Sequence, residues 1–199
     1  MIAFIKGILE IKSNGFVIID VGGIGYKVFM SESSIEKLGN IGEKVIVYTH
    51  HHVREDDQSL YGFLGMEELN MFELLLSVSG VGAKSALNIL ANIEPSRFAI
   101  AVVSNDTSSL VKIPGLGAKT AARIILELKD KLKDKDIKPE KTSKNVEVDL
   151  REEKEEAISA LQVLGYNKKD IEKVFENIDT KDMKLEEMIK LGLKYLSRK

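Results

Sequence analysis

Two stretches decide how this chain reads: "SVSGVGAKSALNIL" at residues 77–90 and "KIPGLGAKTAARII" at residues 112–125. An offset of 35 residues places Gly80, Gly82, Ala83, Lys84 and Ala86 on Gly115, Gly117, Ala118, Lys119 and Ala121. The flanks agree in character, with Leu75, Val78 and Ile89 falling on Leu110, Ile113 and Ile124. Each unit reads as an apolar helix, a tight Gly-aliphatic-Gly turn and a second helix whose alanine permits close packing. The glycines let the backbone turn sharply with its N–H groups exposed. N–H groups gathered at a helix start form a site for anionic oxygens.

Glycines followed by Lys-Ser or Lys-Thr also suggest a nucleotide-binding loop. That loop needs four residues between its first glycine and the Gly-Lys pair, and it follows a buried strand. Here alanine separates the second glycine from Lys84 and Lys119, and the turn follows a helix. The spacing excludes an ATP loop. A purely structural pair of hairpins would explain one GxG turn. Duplication with the lysine kept at both positions favours paired grips on a phosphate backbone, the lysines adding charge.

Around this repeat the chain divides into parts. Residues 1–64 contain IAFIKGILEI, FVIIDV, YKVFM, KVIVYTH and SLYGF, short segments rich in β-branched and aromatic residues. Asn14-Gly15 is a strong hairpin signal. Five strands with one brief helix near Ser33 to Leu38 predict a closed barrel of the OB-fold kind. Residues 65–133 turn helical, with Pro95 placed for a first helical turn. Residues 134–149 are charged, contain Pro139 and read as a flexible linker. Residues 150–199 give three helical patterns, the first closing at Gly165. The fold class is therefore multi-domain α+β: barrel, helical double-hairpin domain, tether and three-helix module.

Composition narrows the chemistry. The chain has no cysteine, so disulfides and thiolate metal sites are excluded. The first dozen residues are interrupted by Lys6, Glu10 and Lys12 and lack a cleavage site, and no apolar run approaches a bilayer span. A cytoplasmic protein is expected. Residues 1–64 carry 6 basic and 8 acidic side chains, residues 65–135 carry 9 and 8, and residues 136–199 carry 14 and 15. Bulk positive charge therefore does not drive any nucleic-acid binding, which would need local geometry.

The repeated unit is the helix-hairpin-helix DNA-binding motif. Combined with VGGIGYKV (21–28), YTHHHVREDDQSLYGF (48–63) and LGY (164–166), it makes the chain resemble the bacterial RuvA family over essentially its whole length. RuvA proteins bind Holliday junctions within a branch-migration complex. The resemblance implies sequence-independent, structure-specific binding of four-way junction DNA in homologous recombination and repair. It also implies a homotetramer, or two tetramers face to face. The hexameric ATPase RuvB would be recruited by the last domain, with the RuvC resolvase as a further candidate partner. It implies no catalytic site, metal or cofactor in this chain, the ATP being bound by RuvB.

Candidate residues follow. The hairpin backbones at Gly80, Val81, Gly82 and at Gly115, Leu116, Gly117 should meet phosphates, with Lys84, Lys119 and Arg123 nearby. None reads a base, so binding should be salt-sensitive. The family pattern more often has lysine at Ala118 and asparagine at Ser79. Glu55 and Asp56, after Arg54, match the family's acidic pin; Asp57 is an additional acid whose membership the sequence leaves open. On composition alone these acids are a solvated turn; as a pin, their carboxylates would repel phosphates where four arms meet. Leu161, Leu164 and Tyr166 are candidates for docking the partner, though core is the ordinary fate of such residues. His50, His51 and His52 alternate faces along a strand and cannot converge on one ion. The alternative functions are a generic repair module with this motif or a base-excision glycosylase. A glycosylase needs a carboxylate beside a flipped base, and the acids after the second hairpin are Glu127, Asp130 and Asp134.

Overall fold

Alternating apolar residues and glycine-bearing turns make the first part of the chain a barrel. The computed structural model describes residues 1–133, 146–178, 180 and 183–196. Its strands are β1 (Phe4–Ser13), β2 (Phe16–Val21), β3 (Ile24–Phe29), β4 (Lys44–Val53) and β5 (Gln58–Phe63), with α1 (Glu32–Lys37) between β3 and β4. They close in the order β1-β2-β3-β5-β4. Only β3 and β5 pair in parallel; the other pairs are antiparallel. Leu9, Val17, Ile19, Val28 and Val47 fill the interior and are fully buried. This is the five-stranded OB-fold arrangement that the strand pattern predicts.

From Met66 the described elements are helices: α2 (Met66–Leu76), α3 (Ala83–Asn92), α4 (Pro95–Val103), α5 (Thr107–Val111) and α6 (Ala118–Lys133). Pro95 occupies the first turn of α4, where its missing N–H costs nothing. The barrel is welded to this part by aromatic packing. Phe72 on α2 sits 5.3 Å from Tyr61 and 4.9 Å from Phe63, ring centre to ring centre. His50 on β4 adds a 3.0 Å contact from its Nδ1 to the Glu73 carboxylate. The end of the barrel and the hairpins therefore share one core.

The last helices are α7 (Val146–Val163), α8 (Lys168–Glu176) and α9 (Leu185–Leu196). Helix α7 begins at Val146, inside the stretch expected as linker. Glutamate and lysine are good helix formers, so charge there does not exclude a helix. The rest of the expected tether, 134–145, lies outside the described residues. Gly165 ends α7 as anticipated, with φ +89°. The amide of Gly165 donates to the carbonyl of Gln162 at 3.0 Å, and that of Tyr166 to Leu161 at 3.3 Å. These paired bonds form a Schellman cap, which gives LGY a local structural cause.

The three-helix module packs on the hairpin domain. Helix α7 lies against both α4 and α9, and its buried Ala157, Ala160 and Leu161 belong to the same core as Phe98, Ala99 and Val102 of α4. Ion pairs rim the contact: Arg97 Nε to Glu186 at 3.2 Å and Lys190 Nζ to Glu94 at 3.1 Å. Among the described residues no single helix is long and apolar enough to cross a membrane.

Candidate nucleic-acid interface

The duplication visible in sequence is reproduced bond for bond. In the first hairpin the amides of Val78, Val81 and Ala86 donate to the carbonyls of Leu75, Val78 and Gly82 at 3.1, 3.1 and 2.9 Å. In the second, Ile113, Leu116 and Ala121 donate to Leu110, Ile113 and Gly117 at 3.0, 3.0 and 2.9 Å. Gly80 and Gly115 hold φ of +83° and +77°, the left-handed region that a side chain strains to adopt.

Gly82 and Gly117 are glycine for a different reason. Gly82 is the N-cap of α3 with φ −92°, which any residue adopts. A Cβ built on either glycine meets nothing within 4 Å. Neither internal packing nor, at Gly82, backbone conformation asks for the missing side chain. Among the described residues the amides of Gly80, Gly82, Gly115 and Gly117 meet no acceptor. Helix α3 also starts without a side-chain cap, so its first N–H groups face outward. Lys84 and Lys119, one residue into α3 and α6, are exposed beside them.

Two of the expected backbone contacts are corrected. The amides of Val81 and Leu116 are spent inside their own turns, on Val78 and Ile113. Their side chains are buried, 6% and 7% exposed, and pin each turn to the core. They shape the site and do not present donors from it. Arg123 also has a partner within the chain: its Nη1 donates to the Ser79 carbonyl at 3.3 Å. Asn88 and Pro114, which the sequence reading did not single out, complete the surroundings together with Ser79 and Glu127. Glu127 accepts from the Ser79 amide at 3.1 Å, and Asn88 Nδ2 donates to the Pro114 carbonyl at 2.7 Å. The signal was available in the 35-residue offset, which places Asn88 on Arg123 and Ser79 on Pro114.

The acidic turn joins β4 to β5. Its base is closed by the Arg54 amide donating to the Asp57 carbonyl at 2.8 Å. Arg54 Nε also donates to His52 Nε2 at 2.9 Å. The Asp57 carboxylate accepts from the Ser59 hydroxyl at 2.8 Å and is thereby turned toward β5. Glu55 and Asp56 are exposed at the tip. His50 and His52 share a face, their ring centres 6.0 Å apart, and are engaged by Glu73 and Arg54. His52 is held below the ordinary 6.5, first by burial, then by the charges of Arg54 and His50.

Comparison with known proteins settles the family. Residues 1–62 match the model for the RuvA N terminal domain and residues 152–197 that for the RuvA C-terminal domain. Between them, residues 72–130 match the SAM-like Helix-hairpin-helix tandem. A protein of Acetivibrio thermocellus named Holliday junction branch migration complex subunit RuvA is 48% identical over 202 residues, covering all of both chains. Proteins of the same name from Ruminiclostridium cellulolyticum and Clostridium perfringens are 47% and 41% identical; they align with 98% and 100% of this chain and with their own full length. The chain belongs to the RuvA family.

In this RuvA family member, the docking candidates occupy the interior. Leu161 and Leu164 are fully buried, and Leu161 lies against Gly192 of α9, where an added Cβ would meet its Cδ1 at 2.6 Å. Tyr166 is partly buried, and its hydroxyl is enclosed without a hydrogen-bond partner of good geometry. Glu67 and Asn70 of α2 are its polar neighbours; burial first, then the Glu67 charge, pushes the phenol up to about 12. In this arrangement Leu161 and Leu164 are part of the core and Tyr166 packs toward α2, so the apolar surface that the two leucines were expected to offer is turned inward.

Proposed function

We propose that this chain binds four-way junction DNA by its backbone, without reading bases, and presents the junction to a branch-migration motor. The observation that carries this reading is the pair Gly82 and Gly117. Each lacks a side chain that its own fold would accommodate, beside unpaired amides and an exposed lysine. A phosphate approaching a helix N-terminus closely would require that gap. Two such grips, with Lys84 and Lys119, hold a duplex arm by its phosphates.

Glu55 and Asp56 form the pin in this reading, with Asp57 committed to Ser59 and outside it. Four chains around one junction would bring four pins to its centre, repelling phosphates there and leading strands into the arms. The last module recruits RuvB, which binds and hydrolyses the ATP; RuvC is a further partner. This chain supplies no catalytic group or cofactor and works in the cytoplasm. A glycosylase is less well supported, because Glu127 is occupied by the Ser79 amide.

The test is a competition gel shift between a four-way junction and linear duplex of the same sequence. Strong preference for the junction, with a salt slope lowered by about one each in Lys84→Ala and Lys119→Ala, is expected. Equal affinity for the two DNAs would leave a generic DNA-binding module. Base release from damaged duplex would restore the glycosylase.

A further inference from the structure

The two hairpins are not independent; each reaches across and holds the turn of the other. Asn88 on α3, the second helix of the first hairpin, donates from Nδ2 to the carbonyl of Pro114 in the second turn at 2.7 Å. Arg123 on α6, the second helix of the second hairpin, donates from Nη1 to the carbonyl of Ser79 in the first turn at 3.3 Å. Under the 35-residue offset, Asn88 corresponds to Arg123 and Pro114 to Ser79. The bonds are therefore the same interaction made twice, in opposite directions. Both carbonyls immediately precede the left-handed glycines, so each bond fixes the turn at the point where the chain reverses.

The neighbouring residues fit this account. Asn92 Nδ2 faces the Asn88 side-chain oxygen at 3.4 Å, which orients the Asn88 amide with its donor toward Pro114. One turn farther along each helix the offset pairs Asn92 with Glu127. Glu127 accepts from the Ser79 amide at 3.1 Å. Pro114 has no N–H to offer, and Asn92 accordingly turns back on Asn88. The first turn is thus held through both its N–H and its C=O, the second through its C=O.

We propose that Asn88 and Arg123 are positioning residues that lock the two phosphate grips into one rigid pair, matched to two phosphate positions on the same arm. The proposal rests on the reading of the hairpins as phosphate grips. Two linked contacts bind far better when their separation is set before the ligand arrives, because no ordering remains to be done. On this account Arg123 contributes mainly through the Ser79 carbonyl rather than as a free charge on DNA.

The experiment uses the full chain and two readouts, amide hydrogen exchange without DNA and junction affinity by gel shift. Asn88→Leu keeps the size and the net charge but removes the donor. It should speed exchange across residues 112–117 and weaken junction binding about fivefold or more, with the salt slope unchanged. Asn88→Gln should recover a good part of both. Arg123→Met should speed exchange across 77–82, whereas Arg123→Gln, uncharged but still a donor, should restore protection and most of the affinity. Unchanged exchange in both Asn88→Leu and Arg123→Met would overturn the brace, as would faster exchange with unchanged affinity. Equal losses in Arg123→Gln and Arg123→Met would return Arg123 to direct phosphate contact and overturn its half. If the parent chain binds no junction DNA, the phosphate reading itself fails, and the exchange data still decide whether the brace exists.

Discussion

Arg54 Nε donates to His52 Nε2 at 2.9 Å, tying the first residue of the acidic turn to the strand that leads into it. Only neutral imidazole can accept that bond. Burial, Arg54 and His50 hold His52 below the ordinary 6.5, so near pH 7 the bond is intact. As pH falls below 6.5 the unfolded chain takes up its proton first, and this contribution to stability declines until folded His52 protonates as well. An NMR titration should place the His52 midpoint below 6.5, with faster amide exchange at residues 54–57 once it titrates. A midpoint at or above 6.5 would contradict the assignment.

The exposed tip of that turn should control shape selectivity. Glu55→Gln combined with Asp56→Asn removes the negative charge and keeps the size. Linear duplex should bind more tightly, and the preference for a four-way junction should shrink, in a competition gel shift. Asp57→Asn should matter less to selectivity, because its carboxylate already serves Ser59. Unchanged selectivity in the double variant would refute the pin.

Gly82 separates stability from binding. Serine is at least as good an N-cap as glycine, and the Gly82 backbone is extended, so Gly82→Ser should leave stability level or raise it by a few tenths of a kcal/mol. Junction affinity should nevertheless fall about tenfold, since the new side chain fills the approach to the helix amides and caps them itself. Thermal melts and gel shifts on one preparation check both halves. Undiminished binding would mean that phosphates do not approach there.

Tyr166 carries a buried hydroxyl with no well-formed hydrogen bond. Tyr166→Phe should therefore be neutral or stabilising by up to about 1 kcal/mol. The phenol is raised to about 12, so the parent loses stability as pH rises from 10 toward 12, when the unfolded chain releases the proton first. The phenylalanine variant should lack that component. Denaturant melts at neutral pH and across this alkaline range measure both. A clear loss at neutral pH would show that Asn70 bonds the hydroxyl.

The strands, the double hairpin and the Gly165 stop were legible because each depends on residues close in sequence. Asn14-Gly15 turns a hairpin wherever it sits, and a GxG before an alanine-rich helix specifies its own backbone. The start of α7 was missed because charged, lysine- and glutamate-rich sequence serves equally as tether and as helix. Within the turns, Gly80 and Gly115 marked the positions where the backbone turns left-handed. Sequence could not show that Val81 and Leu116 use their amides internally, since adjacent N–H groups in one turn point in different directions.

The sequence by itself determined the barrel, the duplicated glycine turns and the RuvA family. All of these are written in local turn chemistry, apolar periodicity and a repeat at a constant offset. Only the tertiary structure decided that Leu161 and Leu164 are interior and that Asn88 and Arg123 reach across to each other's hairpins. Those outcomes join residues up to 44 positions apart, as in Arg123 to Ser79. Such a bond exists only once the core has packed α3 and α6 together, and no pattern within a single segment records it.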